Sequence, residues 1–206
     1  MIGVIFATQT EAQPFLDWSQ AIEINPDPVT MYQVPSNPHL VVTISGMGKV
    51  AAAVACHCQI TDLRVNEIVN AGVCGALRNG AYFAPGKLFC VTSATEGDHA
   101  LPDTPGQTLI SDGKFDWDLP AARLVTCDRP VFDVEKRKAY SSAGELVDME
   151  GAAIARVAAM YGVPWSMVKG ITDTAGPNDR DLLKRNLIRV SEKICRILWD
   201  QLRTAV

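Results

Sequence analysis

The sequence has no long hydrophobic run and no surplus of basic residues. No apolar stretch approaches the 18 or so residues that a membrane-spanning helix needs. Nineteen Lys and Arg residues stand against 23 Asp and Glu residues, which gives a net charge of −4. The apolar N-terminus is short and lacks the basic segment of a secretory signal peptide. We therefore expect no membrane partner and no nucleic-acid partner, since either would require a basic surplus.

The sequence also lacks a CxxC pair, although it contains six cysteines. These cysteines lie in apolar segments, which favours buried thiols in a reducing, cytoplasmic compartment over a disulfide framework. Cys56-His57-Cys58 suggests a metal cluster at first sight. Residues i and i+2 on a helix point to different faces and do not easily share one ion, so we expect core thiols and no metal site.

Short apolar runs alternate with helical patterns along the whole chain. The runs predict strands at 2–7, 40–45, 67–72, 87–92, 123–127, 145–149 and 165–171. The helical patterns cover 49–63, 134–142, 151–161 and 182–202. This alternation predicts an α/β fold with a buried, mostly parallel sheet, and the length fits one domain over residues 1–206.

Two segments do not fit the alternation. Residues 25–39 contain four prolines and are expected to form a hairpin or the edge of the sheet. Residues 97–121 are rich in Asp, Pro and Gly, and the sequence predicts a long loop there that is functional or mobile.

A glycine turn, Gly46-Met47-Gly48, lies between a predicted strand and a predicted helix. With Ala51 it fits G-x-G-x-x-A, the pattern of a dinucleotide phosphate cradle. Against that interpretation, the turn follows the second strand, and Asn70 occupies the place where an acidic residue is expected. The alternatives are a turn that packs helix on strand, or a backbone cradle for another polar ligand.

Acidic residues stand in apolar settings at three predicted strand ends. Glu11 follows the first strand, Asp148 and Glu150 lie at a strand-to-helix junction, and Asp173 follows the strand at 165–171. Each has a structural explanation as a helix-start or turn residue. Ligands in open α/β sheets bind at the carboxyl ends of strands, so the acids together favour a shared site.

Five blocks of sequence together resemble the purine nucleoside phosphorylase/uridine phosphorylase superfamily, and most closely its methylthioadenosine/S-adenosylhomocysteine nucleosidase branch. The blocks are Ile2–Glu11, Ser45–Ala53, Asn70–Leu77, Val147–Ala153 and Val168–Asp173. They occur in the family's order over most of the chain, whereas residues 97–145 match poorly. The resemblance implies a three-layer fold with a mixed, mostly parallel central sheet.

The resemblance also implies roles for single residues. Asp173 would be the general acid at the purine, and Glu11 would activate the attacking water. Met149 and Glu150 would hold the ribose, and the turn Gly46–Gly48 would face the sugar or an anion. Val131 and Phe132 are the candidates for stacking on the base, and Gly75 is a further candidate for binding it. No cofactor is implied, and relatives are commonly dimers or larger homo-oligomers.

The implied function is hydrolysis of the N-glycosidic bond of an adenine nucleoside. Val73 stands where phosphate-using relatives and many hydrolytic ones carry serine. No arginine stands just before Gly72, where phosphorylases often place one, so hydrolysis is favoured over phosphorolysis. A carboxyl at position 173 favours adenine over a 6-oxopurine. The alternatives within the fold are a phosphorylase, a futalosine hydrolase and an adenosylhopane nucleosidase. A degenerate nucleoside-binding protein and an NAD oxidoreductase are more distant ones.

Overall fold

The computed structural model describes residues 1–25, 28–99, 107–174 and 180–205. Within these residues ten strands form one sheet. The strands are β1 (Ile2–Phe6), β2 (Ile22–Asn25), β3 (Thr30–Val34), β4 (Asn37–Ile44), β5 (Glu67–Ala76), β6 (Leu88–Glu96), β7 (Thr108–Ile110), β8 (Ala121–Thr126), β9 (Leu146–Asp148) and β10 (Trp165–Asp173). The helices are α1 (Gln9–Ser19), α2 (Lys49–Thr61), α3 (Val134–Tyr140), α4 (Gly151–Tyr161) and α5 (Arg180–Leu202).

The sheet combines a closed ring with an open wing. Strand β10 pairs with both β5 and β6, and the order β6-β8-β9-β5 completes a ring of five strands. From β5 the sheet continues through β1, β4, β3 and β2. Parallel pairings join β4, β1, β5 and β10 as well as β6, β8 and β9, and the remaining pairings are antiparallel. The sheet is therefore mixed, as expected.

Helices cover both faces of the sheet and give the three layers. On one face α1 packs against α5, where the rings of Phe15 and Trp199 meet edge to face with centroids 5.7 Å apart. On the other face α2 packs against α4, and Cys56 and Cys58 are buried there as core thiols. Among the described segments, none of the helices combines the length and apolar character needed to span a bilayer.

Most predicted elements are present, and the differences have local causes. Helix α4 has the predicted bounds and ends at Gly162, whose φ of 65° is the left-handed conformation of a helix C-cap. Strand β5 runs on to Ala76 instead of ending at Gly72, because its second half pairs with β10 and β9. Asn70 is therefore an interior strand residue, and its side chain donates to the Ile5 carbonyl at 3.0 Å.

The described part of the segment at 25–39 agrees with the predicted hairpin at the sheet edge. Strand β3 lies in this segment and pairs antiparallel with β2 on one side and with β4 on the other, while residues 26 and 27 lie outside the described residues. The loop predicted at 97–121 is interrupted by the short strand β7, which pairs with β6. The part of that loop at 100–106 lies outside the described residues. The sequence does not predict helix α1, because Pro14 lies in its interior, where proline is normally unfavourable.

Candidate active site

A cavity of ≈ 270 Å³ opens where several strands end. Residues at the ends of β1, β9 and β10 and in the second half of β5 line this cavity. Its lining residues are Ala7, Thr8, Glu11, Met47, Val73, Cys74, Gly75, Pro130, Val131, Phe132, Val147, Asp148, Met149, Glu150, Thr172, Asp173, Leu183 and Leu187. The fold thus brings the four acids that the sequence marked, Glu11, Asp148, Glu150 and Asp173, from three separate segments to one cavity.

Glu11 is fixed in the first turn of α1 by a capping box. Its Oε2 accepts from the Thr8 backbone N–H at 2.9 Å and from the Thr8 hydroxyl at 2.7 Å. Its Oε1 accepts from the backbone N–H of Val73 at 2.9 Å. A Cβ at Gly72 would lie 2.8 Å from this Oε1, so only glycine there lets β5 approach the carboxylate. The carboxylate is buried at the cavity wall with a defined orientation.

Glu150 is hydrogen-bonded to the glycine turn Gly46–Gly48. Its Oε1 accepts from the backbone N–H of Gly48 at 2.7 Å, and the side chain is 8% exposed. Burial, and secondly the charge of Asp148, raises the pKa of Glu150 to about 7. Although Glu150 stands at the start of α4, its side chain does not cap that helix, so the helix-start explanation does not account for its position.

The glycine turn itself is only partly in the cavity. Met47 lines the cavity, whereas Gly46 and Gly48 do not. The N–H of Gly46 donates to the Ala7 carbonyl at 3.0 Å, and the N–H of Gly48 is used by Glu150. With both of these donors bound to protein, the turn is not a free phosphate cradle. This arrangement argues against the dinucleotide interpretation.

Lys169 is a buried cation that the sequence analysis did not single out. Its Nζ lies 2.8 Å from Asp148 Oδ2, and both side chains are almost fully buried. Burial acts to lower the pKa of Lys169, but the carboxylates of Asp148, Glu150 and Glu11 outweigh it and raise the pKa above its usual value. A signal was available, because this lysine is the one charged residue of strand β10 before its terminal Asp173.

Asp148 supports the start of α4 as well as the cation. Its Oδ1 accepts from the Thr126 hydroxyl at 2.6 Å, and its Oδ2 accepts from the Gly151 N–H at 2.9 Å. Through these contacts Asp148 positions the strand-to-helix junction that carries Met149 and Glu150.

Asp173 is the last residue of β10 and lines the cavity. Its Oδ2 accepts from the Thr172 hydroxyl at 3.1 Å. The backbone at this point is held from α5, since the Asn186 amide donates to the Thr172 carbonyl at 2.8 Å. A Cβ at Gly75 would lie 3.2 Å from Asp173 Oδ1, which places the carboxyl directly against β5.

An apolar wall faces these polar groups. Val131 is buried and Phe132 is 42% exposed, and both lie in the loop after β8. Together with Met47 and with Leu183 and Leu187 of α5, they give one side of the cavity the character of an aromatic or aliphatic contact surface.

A cation network holds the loop of Val131 to the glycine turn. Lys49, the first residue of α2, lies 2.7 Å from Asp98 and 3.4 Å from both Glu96 and Asp128. The Asp128 N–H also donates to Asp98. Because Lys49 directly follows Gly48, this network joins the turn that binds Glu150 to the segment that precedes Val131.

The position of Arg78 bears on anion binding at the cavity. Its guanidinium lies 3.9 Å from Glu145, is 45% exposed and does not line the cavity. Val73 contributes its backbone N–H to Glu11 and has no side-chain donor. Among the described residues, the cavity wall therefore contains no arginine.

Curated relatives and solved structures resemble this chain over nearly its full length. A 5′-methylthioadenosine/S-adenosylhomocysteine nucleosidase of Buchnera aphidicola is 25% identical over 98% of this chain and 90% of its own. The solved S-adenosylhomocysteine nucleosidase of Streptococcus pyogenes, in complex with 5-methylthiotubericidin, superposes with a TM-score of 0.88. It is 23% identical, and the match covers 100% of this chain and 97% of that one.

A futalosine hydrolase of Helicobacter pylori has the same fold, with a TM-score of 0.84 and 18% identity over 96% of each chain. The family model of the phosphorylase superfamily matches residues 1–203. These residues include every element of the sheet and the whole described cavity. The chain therefore belongs to the phosphorylase superfamily.

Proposed function

We propose that this chain is a purine nucleosidase that hydrolyses the N-glycosidic bond of an adenine nucleoside such as methylthioadenosine or S-adenosylhomocysteine. The observation that carries the proposal is the meeting of Glu11, Glu150 and Asp173 at one cavity with an apolar wall. The nucleosidase names of the relatives from Buchnera aphidicola and Streptococcus pyogenes support it.

Asp173 is the proposed general acid. Cleavage of the bond leaves positive charge on the sugar and negative charge on the departing purine. Transfer of the carboxyl proton to N7 neutralises the leaving base, and the carboxyl can also accept from an exocyclic 6-amino group. Val131 and Phe132 lie at the same cavity, where they are suited to contact the face of the purine.

Glu11 and Glu150 are the proposed groups at the sugar. Glu11 polarises a water molecule that attacks the anomeric carbon, and the water proton passes to its carboxylate. Glu150 accepts from the ribose hydroxyls, and Met149 contacts the ring. The products are the free base and the ribose derivative. Lys169, buried behind these carboxylates, offsets their mutual repulsion.

Water is the proposed nucleophile instead of phosphate. A phosphate carries nearly two negative charges and needs guanidinium or hydroxyl donors. The described cavity wall contains no arginine, and Arg78 pairs with Glu145. Glu11 and Glu150 would also repel a phosphate ion at the same place.

A futalosine hydrolase is the second candidate, because the structure of one from Helicobacter pylori has the same fold. That substrate carries a 6-oxopurine, which presents an acceptor where adenine presents an amino group. An amide donor suits such a base better than a carboxyl. Asp173 therefore favours adenine.

The test is a panel of nucleosides assayed in phosphate-free buffer and again with added phosphate, with the released base measured by chromatography. We expect adenine release from adenine nucleosides without phosphate. Strict dependence on phosphate, with ribose 1-phosphate as the product, would contradict hydrolysis. Faster cleavage of inosine or futalosine than of every adenine nucleoside would contradict the choice of base.

We also propose that residues 1–206 act as one domain, that the enzyme works in the cytoplasm and that it is a homodimer. One continuous sheet supports a single domain. The six free cysteines, five of them buried, support a reducing compartment. Exposed apolar side chains on α2 and α4 support self-association.

A further inference from the structure

A groove of ≈ 720 Å³ lies on the outer side of α5, apart from the catalytic cavity. The two share no lining residue. The groove has an apolar floor and a polar rim. The floor is formed by Leu88, Leu119, Pro120 and Ile197, and the rim by Lys87, Arg189, Glu192, Lys193 and Arg196 around Gly86.

The rim concentrates positive charge on a protein whose net charge is −4. Four cations stand against one acidic side chain, Glu192, which leaves a surplus of three positive charges among the described lining residues. Lys49, Arg123 and Lys169, by contrast, each have a carboxylate partner. None of the four rim cations forms an ion pair with a described residue.

Neighbouring groups hold three of these cations in place, and Arg189 Nη2 donates to Asn186 Oδ1 at 3.3 Å. Lys193 Nζ donates to the Gly86 carbonyl at 3.2 Å, and Arg196 lies 4.3 Å above the ring of Trp18. Gly86 has a φ of 92°, and a Cβ there would lie 3.2 Å from Arg189 Nη2. The turn at Gly86 therefore lets the guanidinium of Arg189 approach the β5–β6 connection closely.

We propose that this groove is a binding site for a phosphate-bearing anion. Guanidinium groups bind phosphate oxygens through paired donors, and a phosphate carries enough charge to match several cations. The apolar floor would contact the body of an organic phosphate. The phosphate belongs either to a small soluble molecule or to a lipid headgroup, and the chemistry of recognition is the same.

Calorimetric titration with pyrophosphate at low ionic strength tests the site. Arg189→Gln/Lys193→Gln removes two rim charges, and we expect pyrophosphate to bind about tenfold more weakly than to the wild type. Lys184→Gln/Arg185→Gln is the matched control, because both residues are exposed on α5 outside the groove. The control should change the affinity less than about twofold, and added salt should weaken binding throughout.

Sedimentation with phosphatidylcholine vesicles, with and without phosphatidylglycerol, distinguishes the two sources of phosphate. The phosphate belongs to a lipid headgroup if two results are found together. Pyrophosphate shows no saturable binding, and the groove variant, but not the control variant, loses binding to anionic vesicles. Equal weakening in both double variants, or no binding of either probe, would overturn the proposal.

The Asp173→Asn variant separates this groove from the catalytic cavity. It should bind pyrophosphate like the wild type, and a change beyond about threefold would place the anion in the cavity instead. None of these measurements depends on nucleosidase activity, so failure of the proposed function would leave them interpretable.

Discussion

Asp173 has a defined position at the wall of the cavity. It ends β10 and receives a hydrogen bond from the neighbouring Thr172 hydroxyl, while the backbone around it is fixed by Asn186. We expect Asp173→Asn to leave the fold intact and to lower turnover of adenine nucleosides by a factor of about 10² to 10⁴, because an amide cannot supply the proton. Steady-state kinetics, with circular dichroism as the control for folding, measure this. Near wild-type turnover by the folded variant would rule out Asp173 as the acid.

The raised pKa of Glu150 predicts that the free energy of unfolding depends on pH. Burial, followed by the charge of Asp148, raises its pKa from 4.5 to about 7 in the folded protein. Between these two pH values the folded state binds more protons than the unfolded state. The free energy of unfolding therefore falls as the pH rises through this window, by about 3 kcal/mol in all, and the loss is complete above pH 7.

Glu150→Gln removes this ionisation. The free energy of unfolding of the variant, measured relative to that of the wild type, should be higher at pH 8 than at pH 5. The variant also loses the proposed ribose contact. Urea denaturation at both pH values gives the comparison, and Glu135→Gln, at an exposed position on α3, is the control. Parallel stability curves for Glu150→Gln and the wild type would contradict the assignment.

At the scale of elements, β10 carries a buried cation into a group of acids that come from α1, β9 and the start of α4. Lys169 and Asp148 pair at 2.8 Å with almost no exposure. We expect Lys169→Met to lower the free energy of unfolding by about 3 to 5 kcal/mol, because Asp148 is left as a buried, unpaired charge. The double variant with Asp148→Asn should lose less than the sum of the two single variants. Urea denaturation of all four proteins measures the coupling, and simple additivity would contradict a direct pair.

The elements show which parts of the molecule the sequence could predict. Periodicity predicted α4 with its exact bounds and most of the central strands, because buried strands and amphipathic helices have distinct patterns. It missed α1, where Pro14 opposes a helix that the capping box of Thr8 and Glu11 and packing on α5 stabilise. It also ended β5 too early, since glycines that allow close approach of Glu11 look locally like a turn.

The site was predictable residue by residue only where the sequence pattern marked a strand end. Glu11, Glu150 and Asp173 were placed together on that basis, and the cavity contains all three. The use of the Gly48 N–H by Glu150 joins residues 102 positions apart, and no local pattern reveals it. The role of Lys169 likewise becomes visible only in the fold, because its partner Asp148 belongs to a different strand.

At the scale of the whole molecule, an apolar face on α2 and α4 is left uncovered. Val50 and Val54 are 80% and 42% exposed and lie one turn apart on α2. His57 continues this side of the helix and bonds to Tyr161 of α4 at 2.8 Å. Met47, beside the same helix, is exposed and also lines the cavity. A second copy of the chain that covered this face by two-fold symmetry would bury these side chains and lie close to the cavity mouth.

Val50→Glu/Val54→Glu therefore tests the proposed dimer. We expect the wild type to sediment at twice the monomer mass of 22.3 kDa and the double variant to sediment as a monomer, because two buried, unpaired carboxylates would oppose association. Ile22→Glu, at an exposed position on the edge strand β2, is the matched control. If Ile22→Glu alone dissociates the protein, the interface lies at the proline-rich edge at 25–39 instead of on α2. A wild type that stays at 22.3 kDa at micromolar concentration would contradict self-association itself.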